Sequence, residues 1–283
     1  MDLDRMSPLQ IAQAMNEEDK RAVEAVGEVL LQIAEAIALA TSCLRQGGRL
    51  VYVGAGTSGR LAMLDAAECP PTFGVSPDRV VCILAGGPQA FMQAVEGAED
   101  STTLCKEELK RIGLSQNDLV IGLAASGRTP FVVHGLRYAR SLGCNTVAIA
   151  CVRGSQIGSE ADLAVELPTG PEVLTGSTRL KAGTAQKMVL NMISTGAMVG
   201  LRKAFQNLMV DVQQTNEKLR DCARRIVVEA TGCTDERAKQ ALEEASGSVK
   251  VAIVAILLGV SSERAAQALD KACGSVSAAL SGE

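Results

Sequence analysis

Leu50-Val51-Tyr52-Val53-Gly54-Ala55-Gly56-Thr57-Ser58-Gly59-Arg60 is the stretch that decides the fold. Four apolar residues run into a glycine-rich turn, and a helical pattern follows at once. That is the signature of a buried strand whose carboxyl end carries a loop. The same short apolar runs recur at 80–84, 119–123, 146–150 and 163–167. Continuous apolar strands separated by helical segments predict a parallel sheet inside an α/β domain. Upstream, 11–44 shows helical apolar spacing and stops at Gln46-Gly47-Gly48. Downstream, 178–202 reads as one long helix and 212–230 as another.

Gly54–Arg60 also satisfies GxGxxG, which by itself is a weak pattern shared with dinucleotide-binding folds. Those folds need an acidic residue at the end of the second strand to hold a ribose. Here that strand ends Ile83-Leu84-Ala85-Gly86-Gly87, with no acid. Thr57 and Ser58 add hydroxyls suited to a monophosphate, and Gly59 allows close backbone approach. A helix opening behind the loop supplies free N–H groups and a favourable dipole for an anion. The third strand ends in a comparable loop, Ala125-Ser126-Gly127-Arg128-Thr129-Pro130. Ser126 and Thr129 offer hydroxyls, and Pro130 suits the first turn of the next helix. Two such loops at successive carboxyl ends of a parallel sheet point to one phosphate site, because ligands of open α/β folds bind along that edge. Arg60 and Arg128 can each cancel phosphate charge.

Composition removes several function classes. The 283 residues hold no Trp, two Tyr and four Phe, and carry a net charge of -4. Neither a basic footprint nor an aromatic stacking platform for nucleic acid is present. Nine dispersed cysteines form no CxxC pair and read as reduced thiols of a cytoplasmic protein. With one histidine, His134, no zinc site is expected. The opening Met1-Asp2-Leu3-Asp4 is too acidic for a signal peptide, and the apolar run 249–260 is broken by Lys250. No membrane partner, metal or cofactor is expected.

The tail repeats itself. Gly232-Cys-Thr-Asp-Glu-Arg-Ala-Lys-Gln-Ala-Leu matches Gly259-Val-Ser-Ser-Glu-Arg-Ala-Ala-Gln-Ala-Leu, and Gly247-Ser-Val matches Gly274-Ser-Val at the same offset. Thr234 and Ser261 are N-cap residues with acids in the first turn. Each copy predicts a pair of helices, so residues 221–283 form a small all-helical domain behind a larger domain of residues 1–220. Packing and dimer support are its expected roles, with ligand covering or partner binding as the alternative.

Several blocks resemble one family. These are Gly54 to Arg60; Leu64-Asp65-Ala66-Ala67-Glu68-Cys69-Pro70-Pro71-Thr72-Phe73-Gly74; Ala94-Val95-Glu96-Gly97-Ala98-Glu99-Asp100; and Ala125 to Pro130. The likeness continues through Thr175 to Lys187, Asn207 to Asp211 and Thr215 to Lys218. Together they are similar to the bacterial N-acetylmuramic acid 6-phosphate etherases. The resemblance implies a sugar isomerase (SIS) fold, an α/β three-layer sandwich with a parallel sheet, and a homodimer. It also implies cleavage of the D-lactyl ether of N-acetylmuramic acid 6-phosphate to N-acetylglucosamine 6-phosphate and D-lactate. The family's two catalytic glutamates fall on Glu68 and Glu99. Phosphate contacts fall on Ser58, Ser126 and Thr129, alongside Thr57, Gly59, Gly127 and Arg128 from the loops; Lys181, opening the long helix, is a further candidate. The family's short Glu- and Asn-containing segment ahead of Leu3 is not seen here, and Gln10 stands where a Glu is common.

An elimination suits two carboxylates. In the open-chain sugar the C1 aldehyde acidifies the C2 proton, so a base removes it and an acid protonates the departing lactate oxygen. Water then adds at C3, without redox cofactor or metal. Glu68 is expected in a loop, since Pro70-Pro71 should end the preceding helix. Glu99 is expected on a helix, in an acidic cluster with Glu96 and Asp100. Two rival activities share the loops: a sugar-phosphate-sensing regulatory protein, as in the related glucokinase regulatory protein, and an aldose–ketose isomerase.

Overall fold

The structure is a computed structural model that describes residues 2–214 and 216–282; Met1, Thr215 and Glu283, quoted above within sequence motifs, lie outside the described residues. The chain divides into two units, one of residues 1–67 and 77–197, the other of residues 68–76 and 198–283. The boundary expected near Arg220 lies inside the second unit.

In the first unit five strands make one sheet: β1 (Leu50–Gly54), β2 (Val80–Leu84), β3 (Leu119–Ala124), β4 (Asn145–Ala150) and β5 (Leu163–Glu166). Their order is β2-β1-β3-β4-β5 and every pair is parallel. All five apolar runs are therefore strands, and β1 and β3 are buried along their whole length. Alternation within β1 sends Val51 and Val53 into a core with α4 (Leu104–Arg111), α5 (Pro130–Ser141) and α6 (Gln156–Glu160). Leu50 and Tyr52 face the opposite layer, where α2 (Leu30–Arg45) lies over β1, β3 and β5. The outcome is the expected three-layer α/β arrangement.

The N-terminal helical stretch is two helices rather than one, α1 (Pro8–Gly27) and α2, broken at Glu28 and Val29. A capping box opens α1: the Ser7 side chain accepts from Gln10 N, and the Ser7 N–H donates to Gln10 Oε1 at 2.8 Å. Where a glutamate was anticipated, the amide of Gln10 performs the same reciprocal cap. At the amino end of the sheet, Asp118 is 3% exposed and receives Arg49 N at 2.9 Å, Arg49 Nη2 at 2.7 Å and Ser115 N at 3.0 Å. This ties β1 to β3 at the edge opposite the two loops.

The helix stop expected before Pro70 is not found. α3 (Gly56–Phe73) contains Pro70 and Pro71 instead of ending before them. A proline costs its own N–H bond, but it does not stop later residues from donating, and Gly74 N still reaches Pro70 O at 2.9 Å. The two prolines sit in the last turn, where few donors remain to be lost. Glu68 is accordingly a helical residue, not a loop carboxylate.

α7 (Lys181–Gly200) is the long helix read at 178–202. In the second unit, α8 (Glu217–Thr231) closes on Gly232 in the left-handed region. Two helix pairs follow, α9 (Asp235–Glu244) with α10 (Val249–Leu258), and α11 (Ser262–Lys271) with α12 (Val276–Ser281). Thr234 and Ser261 both cap as expected, accepting from Arg237 N and Arg264 N. The corners match as well: Gly247 N bonds Leu242 O at 2.8 Å and Gly274 N bonds Leu269 O at 2.7 Å. Ala238, Leu242 and Ile253 from the first pair, with Ala265 and Leu269 from the second, share one core.

Candidate active site

The sheet order places the site. β1 has β2 on one side and β3 on the other, so the chain reverses direction between them, and the crevice at that switch point is where ligands of such sheets bind. Gly54 pairs with Leu84 and with Leu123, which sets the loops after all three strands along one edge.

The first loop is very short. β1 ends at Gly54 and α3 starts at Gly56, which takes φ +53, a conformation that favours glycine. A Cβ on Gly59 would lie 2.4 Å from Leu84 Cδ1 and 2.8 Å from Gly54 O, so the helix start presses directly on the strand end. The first intrahelical bond runs from Gly59 N to Ala55 O at 3.1 Å. The N–H groups of the residues before it, Thr57 and Ser58 among them, have no partner within the helix. Ser58 is buried and its hydroxyl donates to Gln186 Oε1 on α7 at 2.7 Å. What it offers a ligand is its backbone. Thr57 is half-buried beside it.

The second loop is more open. Ser126 and Arg128 are exposed and Thr129 is half-buried. Thr129 is the N-cap of α5 yet makes no side-chain cap bond, which leaves its hydroxyl for another acceptor or donor. Gly127 is buried at φ +70, and an added Cβ would stand 2.5 Å from Ser155 Cβ. Its carbonyl receives Ile157 N at 2.9 Å, so the loop is pinned on the α6 side.

Glu99 is not helical. It lies in a run of turns between the 3-10 helix Pro88–Phe91 and α4, because Gly97 takes φ +71 and breaks any helix there. Phe131 N, in the first turn of α5, donates to Glu99 O at 3.0 Å. That bond fixes the glutamate backbone against the start of the helix that carries the second loop. A cavity of about 280 Å³ opens here, lined by Gly56, Arg60, Glu96 and Glu99 among others. Both Glu96 and Glu99 are exposed to it. Glu68 is also exposed, on the late turns of α3, within the stretch 68–76 that goes with the second unit. In that unit Gln213 N donates to Pro71 O at 3.2 Å, and a Cβ on Gly74 would meet Asp211 O at 2.6 Å. Asp211 in turn pairs with Lys203 at 3.0 Å and Lys250 at 2.7 Å. The segment after α7 thus braces the helix end that carries Glu68.

Lys181 is placed differently from an open phosphate ligand. It is 1% exposed and its ammonium pairs with Glu18 of α1. The Lys181 hydrogen bond holds the Glu18 carboxyl below the usual carboxylate range. Glu172 accepts from Lys181 N and Ala182 N at 3.2 and 3.0 Å, capping α7. Nothing in the sequence singled out Glu18, Glu172 or Gln186; Glu18 and Gln186 lie far along the chain from what they contact, and Glu172 reaches α7 across the turns that precede it. Asp65 is likewise buried, receiving Tyr52 OH at 2.8 Å and Ser194 OH at 3.0 Å. Burial raises its carboxyl, and these donors oppose the rise. Among the described residues, no group of three or more His, Cys, Asp or Glu is placed to hold a metal, and no helix is long and apolar enough to cross a membrane.

Comparison with known proteins bears on the fold and the family. Residues 32–140 match the glucokinase regulatory protein N-terminal SIS domain, and residues 108–195 match the SIS domain. A protein of Pectobacterium atrosepticum named N-acetylmuramic acid 6-phosphate etherase is 58% identical over 257 residues, 91% of this chain and 85% of that protein. Proteins of the same name from Geobacillus thermodenitrificans and Mycolicibacterium smegmatis are each 58% identical over 255 residues, 90% of this chain and 86% of theirs. Among solved structures, the phosphoheptose isomerase of Francisella tularensis superposes with a TM-score of 0.54 at 16% identity, over 69% of this chain and all (100%) of that one. That likeness is one of fold.

Proposed function

This chain belongs to the N-acetylmuramic acid 6-phosphate etherase family, and we propose that Glu99, beside the β1–β3 switch point, and Glu68 carry its reaction. The protein is a carbon–oxygen lyase that cleaves the D-lactyl ether of N-acetylmuramic acid 6-phosphate, giving N-acetylglucosamine 6-phosphate and D-lactate. Kinship along about nine tenths of the chain carries that assignment, and neither a sensing protein nor an aldose–ketose isomerase is favoured beside it.

The site residues are our assignment. The phosphate rests on the Ser126–Thr129 loop and the free N–H groups at the start of α3. Glu99 takes the C2 proton of the open-chain sugar; the C3–O bond breaks, and a C2–C3 double bond forms in conjugation with the aldehyde. Glu68 gives a proton to the departing lactate oxygen and then takes one from the water that adds at C3, while a proton returns to C2. Supporting this are the Glu99 backbone bond to α5 and the cavity that Glu99 shares with the start of α3. Lys181, already matched by Glu18, acts on the phosphate only through the helix start it helps to fix.

We also assign a homodimer in the cytoplasm, with catalysis in residues 1–220 and packing support from 221–283. Leu30 and Leu31 of α2 are 53% and 86% exposed, and a groove of about 480 Å³ runs along α2 and α7 past Ile37 and Met192, surface that a second copy would cover. Light scattering after gel filtration reads the mass directly. For the chemistry, reaction in ¹⁸O-labelled water should place label at C3 of the sugar and none in D-lactate. Label in the lactate would mean attack on the lactyl carbon, and the elimination would be wrong. No lactate at all would overturn the activity.

A further inference from the structure

The cavity beside Glu99 holds a cation, Arg60, whose charge can neutralise an anion and which the proton transfers above do not use. We propose that Arg60 binds the carboxylate of the lactyl group and so makes the enzyme select a lactyl ether; this role rests on the etherase assignment above.

Arg60 stands one turn into α3. Its Nε donates to Ala90 O at 3.1 Å and to Phe91 O at 2.9 Å. Among the described residues, the hydrogen bonds of this guanidinium run through Nε alone. The two terminal nitrogens are therefore held in a fixed plane by the 3-10 turn Pro88–Phe91 while keeping their donors for something else. A guanidinium edge of that kind matches a carboxylate, two parallel N–H bonds to two oxygens.

The cavity composition gives the edge its purpose. Among the described residues, Arg60 is the one cation lining it, beside Glu96 and Glu99. Two carboxylates would repel a third anion unless a positive charge stood among them. The substrate brings two anions, a phosphate at C6 and a carboxylate on the group at C3. Glu99 works at C2, the neighbour of C3, so the anion that comes near Glu99 is the lactyl carboxylate. The phosphate, held by the Ser126–Thr129 loop and the N–H groups that open α3, sits at the other end of the sugar. Once the C3–O bond breaks, the same pairing keeps lactate oriented while its ether oxygen takes a proton.

The test uses two reactions of the whole protein. Lactate release from N-acetylmuramic acid 6-phosphate needs both anions. Exchange of the C2 hydrogen of N-acetylglucosamine 6-phosphate in deuterated water needs the phosphate and the base but no lactyl group. Arg60→Met should lower kcat/KM for lactate release by about 10- to 100-fold, the range for losing a charged hydrogen-bonding partner, and leave exchange within about twofold. Arg60→Lys should fall between, because it keeps charge but loses the fork. Retained exchange also shows that the variant is folded. Equal loss of both reactions would make Arg60 a phosphate ligand or a structural residue, and no loss in either would make it a bystander; both results overturn the proposal. Absence of lactate release in the unmodified protein would overturn the etherase assignment first, and this role with it.

Discussion

Replacing Gly127 by alanine should weaken the protein and its phosphate binding together, and the structure separates the two parts of the cost. The residue holds φ +70, and a methyl group there would stand 2.5 Å from Ser155 Cβ and 3.0 Å from Val152 Cγ2. Left-handed alanine costs about 1–2 kcal/mol on its own. The overlap adds about 1–3 kcal/mol, because Ser155 has nowhere to go: its N–H and hydroxyl bond Glu166 at 2.7 and 2.8 Å while its Oγ caps α6. Gly170 is the control. It has nearly the same backbone, φ +71, with nothing within 4 Å of an added Cβ. Gly170→Ala should therefore cost about 1–2 kcal/mol and Gly127→Ala about 2–5 kcal/mol. Urea denaturation at constant m value measures both, and steady-state kinetics should show a raised KM for Gly127→Ala alone. Equal losses in the two variants would mean that Ser155 yields freely and the loop is not braced as described.

Ser126→Ala and Thr129→Val should each raise KM with little change in kcat, by about 1.5–3 kcal/mol of binding, since phosphate is held alike in ground and transition states. An unchanged KM in both would remove that loop from the site. Glu99→Gln should abolish lactate release and C2 exchange alike, while Glu68→Gln should stop release and retain exchange, with losses of about 10²- to 10⁴-fold. The reverse pattern would swap their roles. Burial pushes the Asp118 carboxyl up, but Arg49 and the backbone N–H groups of Ser115 and Arg49 outweigh it and hold it below the usual range. Its contribution is therefore complete above about pH 4 and is lost as pH falls towards the lowered folded value. Acid titration of unfolding should show a flatter low-pH limb in Asp118→Asn, and an unaltered limb would refute the pairing.

Strands were easy to read because the central ones, β1 and β3, are buried on both faces, and each apolar run coincides with its strand within a residue at either end. The helical tail was legible for a different reason: its caps and corner glycines are local, set by residues three to five apart. Errors arose where a local rule met a wider context. Two prolines stop a helix only if donors are still needed beyond them, and in α3 they come at its last turn. Glu99 sits in an acidic run that looks helical until Gly97 turns left-handed and Phe131 claims its carbonyl. Lys181 looked like an open cation at a helix start; its partner, Glu18, lies on the first helix and no spacing rule could reach it. Arg60 was noticed for its charge alone, whereas the direction of its free edge depends on two carbonyls thirty residues downstream.

The tail builds the same corner twice, from Ser246-Gly247 and from Cys273-Gly274, with φ of 51 and 85 in the first and 48 and 79 in the second. A strained left-handed serine and a strained left-handed cysteine at equivalent places are the mark of copying followed by drift. Each copy carries its own cap, corner and stop, so the local signals of the two match, while the side chains that each packs into the shared core are not all the same. Cys273→Ser would make the two corners alike while removing an exposed thiol, and asparagine at either corner would ease its left-handed strain.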